Sequence, residues 1–277
     1  MNPVVKALWY IESHLGEEIT LDDVASAAGV SRFHMSRAFG DALDTSVMRH
    51  VRARRLSEAA RQLADGAPDI LSVALDAGYG SHEAFTRAFR EQFGLTPEQL
   101  RSERRTETID LVEANLMDTQ QTLPKLEKPR FVDGKPMLIA GIGARFEYGN
   151  MDGIPAQWQR FNQYIGNIPG EIYGAAYGVC TASDANGFDY ISGVEVSGFS
   201  DIDAEFMRIR IPAQRYAVFA HRDHISTIRN TMRAIWSDWL PQSGHEVAEV
   251  PTLERYGKAF DPDTGNGGLE VWLPIKS

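Results

Sequence analysis

The sequence predicts two domains of different class. An all-α domain over residues 1–105 consists of two helix-turn-helix units. A linker over 106–129 leads to an α+β domain over 130–277 made of two strand-helix-strand-strand repeats. Three observations predict this. "AGVSRFHMSRAF" at residues 28–39 is echoed at 77–89 by "AGYGSHEAFTRAF", each running Ala-Gly, a short turn, a serine and a helix-like stretch ending in Arg-Ala-Phe. Apolar residues recur at helical spacing up to residue 103, then give way to glycine- and aromatic-rich strand patterns. A chain of 277 residues also exceeds a usual single small core.

The elements follow in order. Val4, Ala7, Leu8, Ile11 and Leu15 mark a first helix that stops at Gly16. Thr20 caps a helix over 21–28, with Asp22 and Asp23 in its first turn, and Ser31 caps the next, to Leu43. Two short helices around a glycine-containing turn form a helix-turn-helix. Val47, Val51, Leu56, Ala59, Ala60 and Leu63 then outline a long helix over 45–64. The pattern restarts with a short helix over 70–77, a turn, and a Ser81-capped helix to Phe93, ended by Gly94 before Thr96-Pro97 begins another. "MDTQQTLPKLEKPR" is polar with two prolines and reads as linker. Beyond it, "MLIAGIGARFEY", "YGAAYGVC", "YISGVEV", "RYAVFAH" and "LEVWLP" read as strands, interrupted by helices over 155–165 and 226–240.

Composition bounds the function. Hydrophobic content of 43% and charge of 24% are those of a globular protein, and no apolar run of membrane-spanning length or signal-peptide pattern occurs. A single cysteine, Cys180, fits a cytoplasmic protein without disulfides and reads as a packed residue. No His/Cys/Asp cluster has metal spacing, and neither cofactor nor catalytic residue is expected. Net charge is −10, unevenly spread: −2 over residues 1–105 and −8 over 106–277. "MRHVRARR" at 48–55 holds four arginines, so a local basic face exists in an acidic chain. Arg52, Arg54 and Arg55 read equally as phosphate contacts or as a solvated face.

A recognition helix reads base edges in the major groove with its exposed side. Phe33, Ser36 and Arg37 share one face of the first such helix, with Met35 and Phe39 inward; His82, Glu83, Thr86 and Arg87 share a face of the second, with Phe85 and Phe89 inward. The connecting helix spans about 30 Å, close to the ~34 Å between successive turns of one groove. One chain is therefore expected to place both helices in adjacent groove segments. "LDDVASAAGVSRFHMSRAF", the arginine-rich start of the connecting helix and "ALDAGYGSHEAFTRAFREQFGLTPEQLR" resemble the DNA-binding domain of the AraC/XylS family of bacterial transcription regulators. The resemblance implies double-stranded DNA and RNA polymerase as partners. It implies base-reading roles for Phe33, Ser36 and Arg37, and for His82, Glu83 and Arg87. Arg52 joins these as a DNA-binding candidate.

Residues from 130 onward resemble the GyrI-like effector-binding domain, through "RYAVFAHR", the helix ending in "WSDWLP", "PTLERY" and the final "LEVWLPI". With the DNA-binding domain first, the arrangement is similar to the Rob-like subgroup. The resemblance implies a groove for a small molecule, with a carboxylate at Glu254. Aromatic residues are dense here, and aromatic faces attract organic cations. The expected effector is lipophilic and cationic, and the expected lining is Glu254, Tyr177, Trp158, Glu195, Tyr190, Phe219, Trp236 and Tyr256. Glu270 corresponds to Glu195 in the second repeat. Two alternatives stay open: a protein that only sequesters its ligand while DNA binding is constitutive, and a hydrolase using Glu254 with Tyr177 or Trp158. The acidic second domain is further expected to fold back on the face around Arg52 to Arg55 and weaken DNA binding until a ligand relieves it.

Overall fold

The computed structural model describes residues 2–114, 124–184 and 186–276. It divides into two compact units that do not follow chain order: Val5–Val30 with Val47–Gln120, and Met1–Val4 with Ser31–Ser46 and Gln121–Ser277.

The first unit is helical, with α1 (Pro3–Ser13), α2 (Leu21–Ala28), the long α4 (Val47–Ala64), α5 (Ile70–Asp76), α6 (His82–Phe93) and α7 (Pro97–Glu103). Side chains close the exposed amides at the helix starts. Thr20 and Asp23 form a reciprocal capping box on α2, Ser81 Oγ accepts from the Ala84 amide on α6, and Thr96 pairs with Gln99 on α7 behind Pro97. Asp69 caps α5 through the Leu71 and Ser72 amides. Leu56, Ala60 and Leu63 of α4, Ile70 and Val73 of α5, Phe85 and Phe89 of α6 and Leu100 of α7 bury one shared core.

The arginine block divides in a way its spacing does not show. Arg54 is buried, its side chain 4% exposed, and grips both carboxylate oxygens of Glu12 on α1 at 2.6 and 2.7 Å, with Nη1 on the Val112 carbonyl at 2.7 Å. Arg55 donates to the carbonyls of Leu15 and Glu17. Both tie α4 to the chain around α1, so the reading of them as phosphate contacts or as a solvated face is corrected; Arg52 is exposed.

The second unit is built on one antiparallel sheet of β1 (Arg130–Gly134), β2 (Met137–Glu147), β3 (Glu171–Thr181), β4 (Gly187–Val196), β5 (Met207–Ile211), β6 (Gln214–His221), β7 (Thr252–Gly257) and β8 (Leu269–Ile275), in the order β1-β6-β8-β7-β3-β4-β2-β5. Helix α8 (Gly153–Asn162) joins β2 to β3, and a helical segment joins β6 to β7. The order is symmetric about the β7–β3 seam, and the two strand-helix-strand-strand repeats meet there. β1 and β5 lie outside the expected repeats and are exchanged between them. β1 precedes the first repeat yet pairs with β6, and β5 precedes the second yet pairs with β2. "RFVDG" and "MRIRI" carry two charges in five residues, which hides the strand pattern.

One face of the sheet curls closed. Ile139 and Ile211 share a cluster with Tyr216 and Val218, although their strands are far apart in the order. The other face carries the helices. Phe161 of α8 packs with Ala140 and Val194, and Trp239 stacks edge-on against Phe219 at 4.8 Å. The expected helix over 226–240 is broken into a 3-10 turn (Ile225–Thr227), α9 (Ile228–Ala234), a π turn (Ile235–Trp239) and α10 (Leu240–Ser243). Pro241 lacks the amide that would bond the Ser237 carbonyl and its ring crowds that carbonyl, so the regular ladder gives way at that turn. The expected linker over 106–129 has no helix or strand among its described residues, and 115–123 lie outside them.

Helix α3 (Arg32–Leu43), capped by Ser31 Oγ on the His34 amide and closed by Asp44 at φ 53°, belongs to this second unit.

Removing one partner of the Arg54–Glu12 pair leaves a buried charge uncompensated. Arg54→Ala is expected to lower unfolding free energy by about 3–5 kcal/mol. Urea denaturation of the full chain followed by circular dichroism checks this; a loss below about 1 kcal/mol, the scale of an exposed pair, contradicts it.

Candidate functional site

The sheet face that carries the helices brings a carboxylate to its centre. Antiparallel partners point the same way, so Phe219, Val271, Glu254, Gly178, Ser192 and Ile142 form one row across β6, β8, β7, β3, β4 and β2. Glu254, only 9% exposed, accepts hydrogen bonds on Oε2 from Tyr190 at 2.6 Å and Tyr256 at 2.8 Å. Tyr190 in turn accepts from the Trp158 indole of α8 at 3.0 Å, and the Trp158 ring meets Tyr256 edge-on at 4.7 Å. Gln157, on the next position of α8, donates to the carbonyls of Ile142 and Tyr190 and to Ser192 Oγ, which fixes α8 over β2 and β4.

Gly178 makes the arrangement possible. A Cβ there would stand 2.1 Å from the Tyr190 hydroxyl and 2.7 Å from Glu254 Oε2. Only a residue without a side chain lets both groups meet above β3.

Helix α3 lies against this face. Arg37, 3% exposed, places its guanidinium 4.7 Å from the centre of the Phe188 ring, within the charge field of Asp41, Cys180, Tyr148 and Glu254. Phe33 and His34 meet the Trp236 ring at 6.1 and 5.2 Å. Arg233 donates to the Asp41 carbonyl at 2.8 Å, and Arg229 pairs with Asp44. Gly40 lies flat on Tyr148: a Cβ there would fall 2.3 Å from the ring.

Burial dominates the electrostatics. It pushes Glu254 above the usual carboxylate range, while the two tyrosine hydroxyls and Arg37 oppose the rise. Asp41 is raised by burial in the same way, against Arg37, Arg229 and Arg233. Burial lifts Cys180 and Tyr148 to about 12 and lowers His34 to about 4. Desolvation works against the charge of Arg37, but its acidic neighbours outweigh it and the guanidinium stays protonated.

Of the expected effector lining, Glu254, Tyr190, Tyr256 and Trp158 come together. Phe219 and Trp236 are on the same side, fully buried against Trp239 and against α3. Tyr177 and Glu195 are a correction. Tyr177 pairs with Gly193 and Arg255, one residue out of the Glu254 row, and packs in the cluster on the opposite face. Glu195 follows that alternation on β4. Glu270 is on that face too, with Arg130 at 2.6 Å and the Trp272 indole at 3.1 Å. Among the residues around Glu254 and Arg37 that the sequence reading passed over are Tyr148, Phe188, Asp41 and Gly178.

The expected DNA-reading residues separate into two groups. His82, Glu83 and Arg87 are exposed on α6 and border one shallow depression with Thr86 and Arg90, while Phe85 and Phe89 are buried beneath. Arg52 is exposed nearby, on the Tyr79 hydroxyl at 3.2 Å and 3.8 Å from Glu91. In contrast, Ser36 and Arg37 are buried in the second unit and Phe33 is half-buried there, so the expectation that α3 presents them is corrected for this conformation. Among the described residues no group of three or more His, Cys, Asp or Glu side chains could hold a metal ion, and no helix is long and apolar enough to cross a membrane.

Comparison with known proteins matches two segments of the chain. Residues 127–276 match the GyrI-like small molecule binding domain and residues 24–103 match a helix-turn-helix domain. The first match covers more than half of the chain, and the chain belongs to the GyrI-like family, with an AraC-type helix-turn-helix domain ahead of it. The right origin-binding protein of Escherichia coli (strain K12) is 42% identical over 90 residues, 32% of this chain and 31% of its own, so the chain spans about a third of that relative. The transcriptional regulator BrlR of Pseudomonas aeruginosa is 30% identical over 129 residues, 45% of this chain and 47% of that one. The structure of SAV2435 bound to tetraphenylphosphonium covers 55% of this chain and 95% of its own at 19% identity and a TM-score of 0.44.

Gly178→Ala is expected to force Tyr190 and Glu254 apart and destabilise the sheet unit by about 1–3 kcal/mol, read from the shift in thermal midpoint. The carboxyl of Glu254 also sets a pH dependence. Its folded value lies above the ordinary 4.5, so the native state holds the proton more tightly and stability falls as pH rises above 4.5 until the carboxyl is ionised. Asp41, raised beside Arg37, contributes with the same sign. His34 and His50, both lowered to about 4, contribute with the opposite sign below 6.5, so the Glu254 part is read as a difference. From pH 4.5 to 8 the urea midpoint of the wild type should fall relative to that of Glu254→Gln, and parallel profiles contradict the assignment.

Proposed function

We propose that the chain is a DNA-binding transcription regulator whose GyrI-like domain takes a lipophilic organic cation as effector. The observation that carries the reading is Glu254, a buried carboxylate that accepts from two tyrosine hydroxyls and has the rings of Tyr190, Tyr256 and Trp158 about it. A carboxylate in such a place stabilises a positive charge that brings its own apolar surface. The names of the relatives, an origin-binding protein and a transcriptional regulator, support the DNA-binding half of the reading. So does α6, whose capped, amphipathic form leaves His82, Glu83 and Arg87 on the solvent side. The role of the groove is to select by charge and ring contact.

Tetraphenylphosphonium and tetraphenylborate match in size and shape and differ in charge. Calorimetry with the full chain should show the cation binding at least tenfold more tightly, with most of that preference lost in Glu254→Gln. Equal or tighter binding of the borate overturns the effector class. On the DNA side, Arg87→Ala should cost about 1–3 kcal/mol and relax base preference at one position, measured on a duplex selected from a random pool. Arg52→Ala should weaken all duplexes alike and reduce the salt slope by about one.

A further inference from the structure

We propose that α3 is the chain's own ligand for the Glu254 groove: Arg37 fills it as an internal cation, and an external cation enters only by displacing the helix. The proposal rests on the effector reading of the groove and adds what occupies it beforehand.

Four observations converge. The Arg37 guanidinium is buried over the Phe188 ring, which clusters with Tyr190, and lies within the charge field of Glu254, the chemistry assigned to the effector's charge. Its Nε and Nη1 have no protein hydrogen-bond partner among the described residues. Apart from its hydrogen bond with the Cys180 thiol, charge and ring face hold this cation, and a cation with few or no N–H groups loses little by replacing it. The backbone of α3 is shaped to the site: Gly40, in mid-helix, is where Tyr148 comes too close for any side chain. Glycine costs a helix interior about 1 kcal/mol relative to alanine, so close approach accounts for it. The attachment is latched at the helix end, by Arg233 on the Asp41 carbonyl and Arg229 on Asp44. While α3 is seated, the face bearing Phe33, Ser36 and Arg37 is turned into the protein.

An internal competitor reduces apparent affinity by the fraction of molecules in which it is absent. Removing it must tighten the binding of an added cation. Cys180, the only cysteine of the chain, lies buried beside Arg37 and Asp41 with its thiol pushed up to about 12, and reports the seating of α3 independently of any ligand.

The experiment compares full-length wild type, Gly40→Ala and Arg37→Ala by two readouts: the rate of Cys180 alkylation by N-ethylmaleimide, and tetraphenylphosphonium affinity by calorimetry. Gly40→Ala keeps Arg37 and favours the helix, and thermal melts confirm that each variant is folded. Gly40→Ala is expected to alkylate at least tenfold faster and to bind the cation at least fivefold more tightly, and Arg37→Ala to bind it more tightly as well. Alkylation unchanged in Gly40→Ala, or cation affinity equal in all three proteins, overturns the proposal while leaving the effector reading intact. Failure of every protein to bind the cation, with alkylation accelerated in Gly40→Ala, overturns the effector reading and the competition with it, and shows α3 seated for another reason.

Discussion

A carboxylate removed from water is the constraint on which the C-terminal sheet depends. Glu254 cannot be buried at the centre of a sheet face without partners, and the partners come from elements that would otherwise have no reason to meet. Tyr256 arrives by strand alternation, two residues along β7. Tyr190 reaches across β3 from β4, which requires the missing side chain at Gly178. Trp158 closes the chain of donors from α8, and α8 is positioned by the three hydrogen bonds of the Gln157 amide. One buried charge thus sets the identity of a glycine, two tyrosines and a helix face.

The same physics explains how an arginine of a helix expected to read DNA can be buried among rings instead. A guanidinium is planar, delocalised and weakly hydrated compared with an ammonium, and it stacks on rings as readily as it meets base edges or phosphates. The residue types expected to read nucleic acid on α3 are therefore also ones that a face rich in aromatic rings and carboxylates can accept. Asp41, one turn beyond Arg37 on the same helix, is buried by burial of that face and helps hold the guanidinium charged.

Local chemistry was legible in the sequence and facing was not. The caps at Thr20, Ser31, Ser81 and Thr96 are set by residues three apart, and they stand where the residue types put them. The five long strands were visible as alternation or as apolar runs between turn residues. The groove was half visible: Glu254 and Tyr256 share a face because they are two residues apart. Tyr177 and Glu195 alternate just as regularly, but alternation says only that neighbours oppose each other, and the face is decided by cross-strand register. Arg54 illustrates a second limit. In a run of arginines nothing local distinguishes the one that finds Glu12, 42 residues away, from the exposed Arg52. Two signals did lie in the sequence unused: Gly40 inside a well-capped helix, and Gly178 inside a strand, each a glycine where its neighbours favour regular structure.

The exchange of β1 and β5 bears on how the chain is made. β1, at residues 130–134, finds its partner in β6, at residues 214–218. During synthesis the first repeat can complete β2, β3, β4 and β5 as soon as residue 211 has emerged, since β5 pairs directly with β2. The strand that precedes them all must wait, its backbone donors and acceptors unsatisfied, until β6 has been made. Chain growth at roughly 5–20 residues per second turns that gap of some eighty residues into several seconds. For that interval the nascent protein carries an exposed strand with phenylalanine and valine at its centre, next to a segment that already needs to be correctly placed.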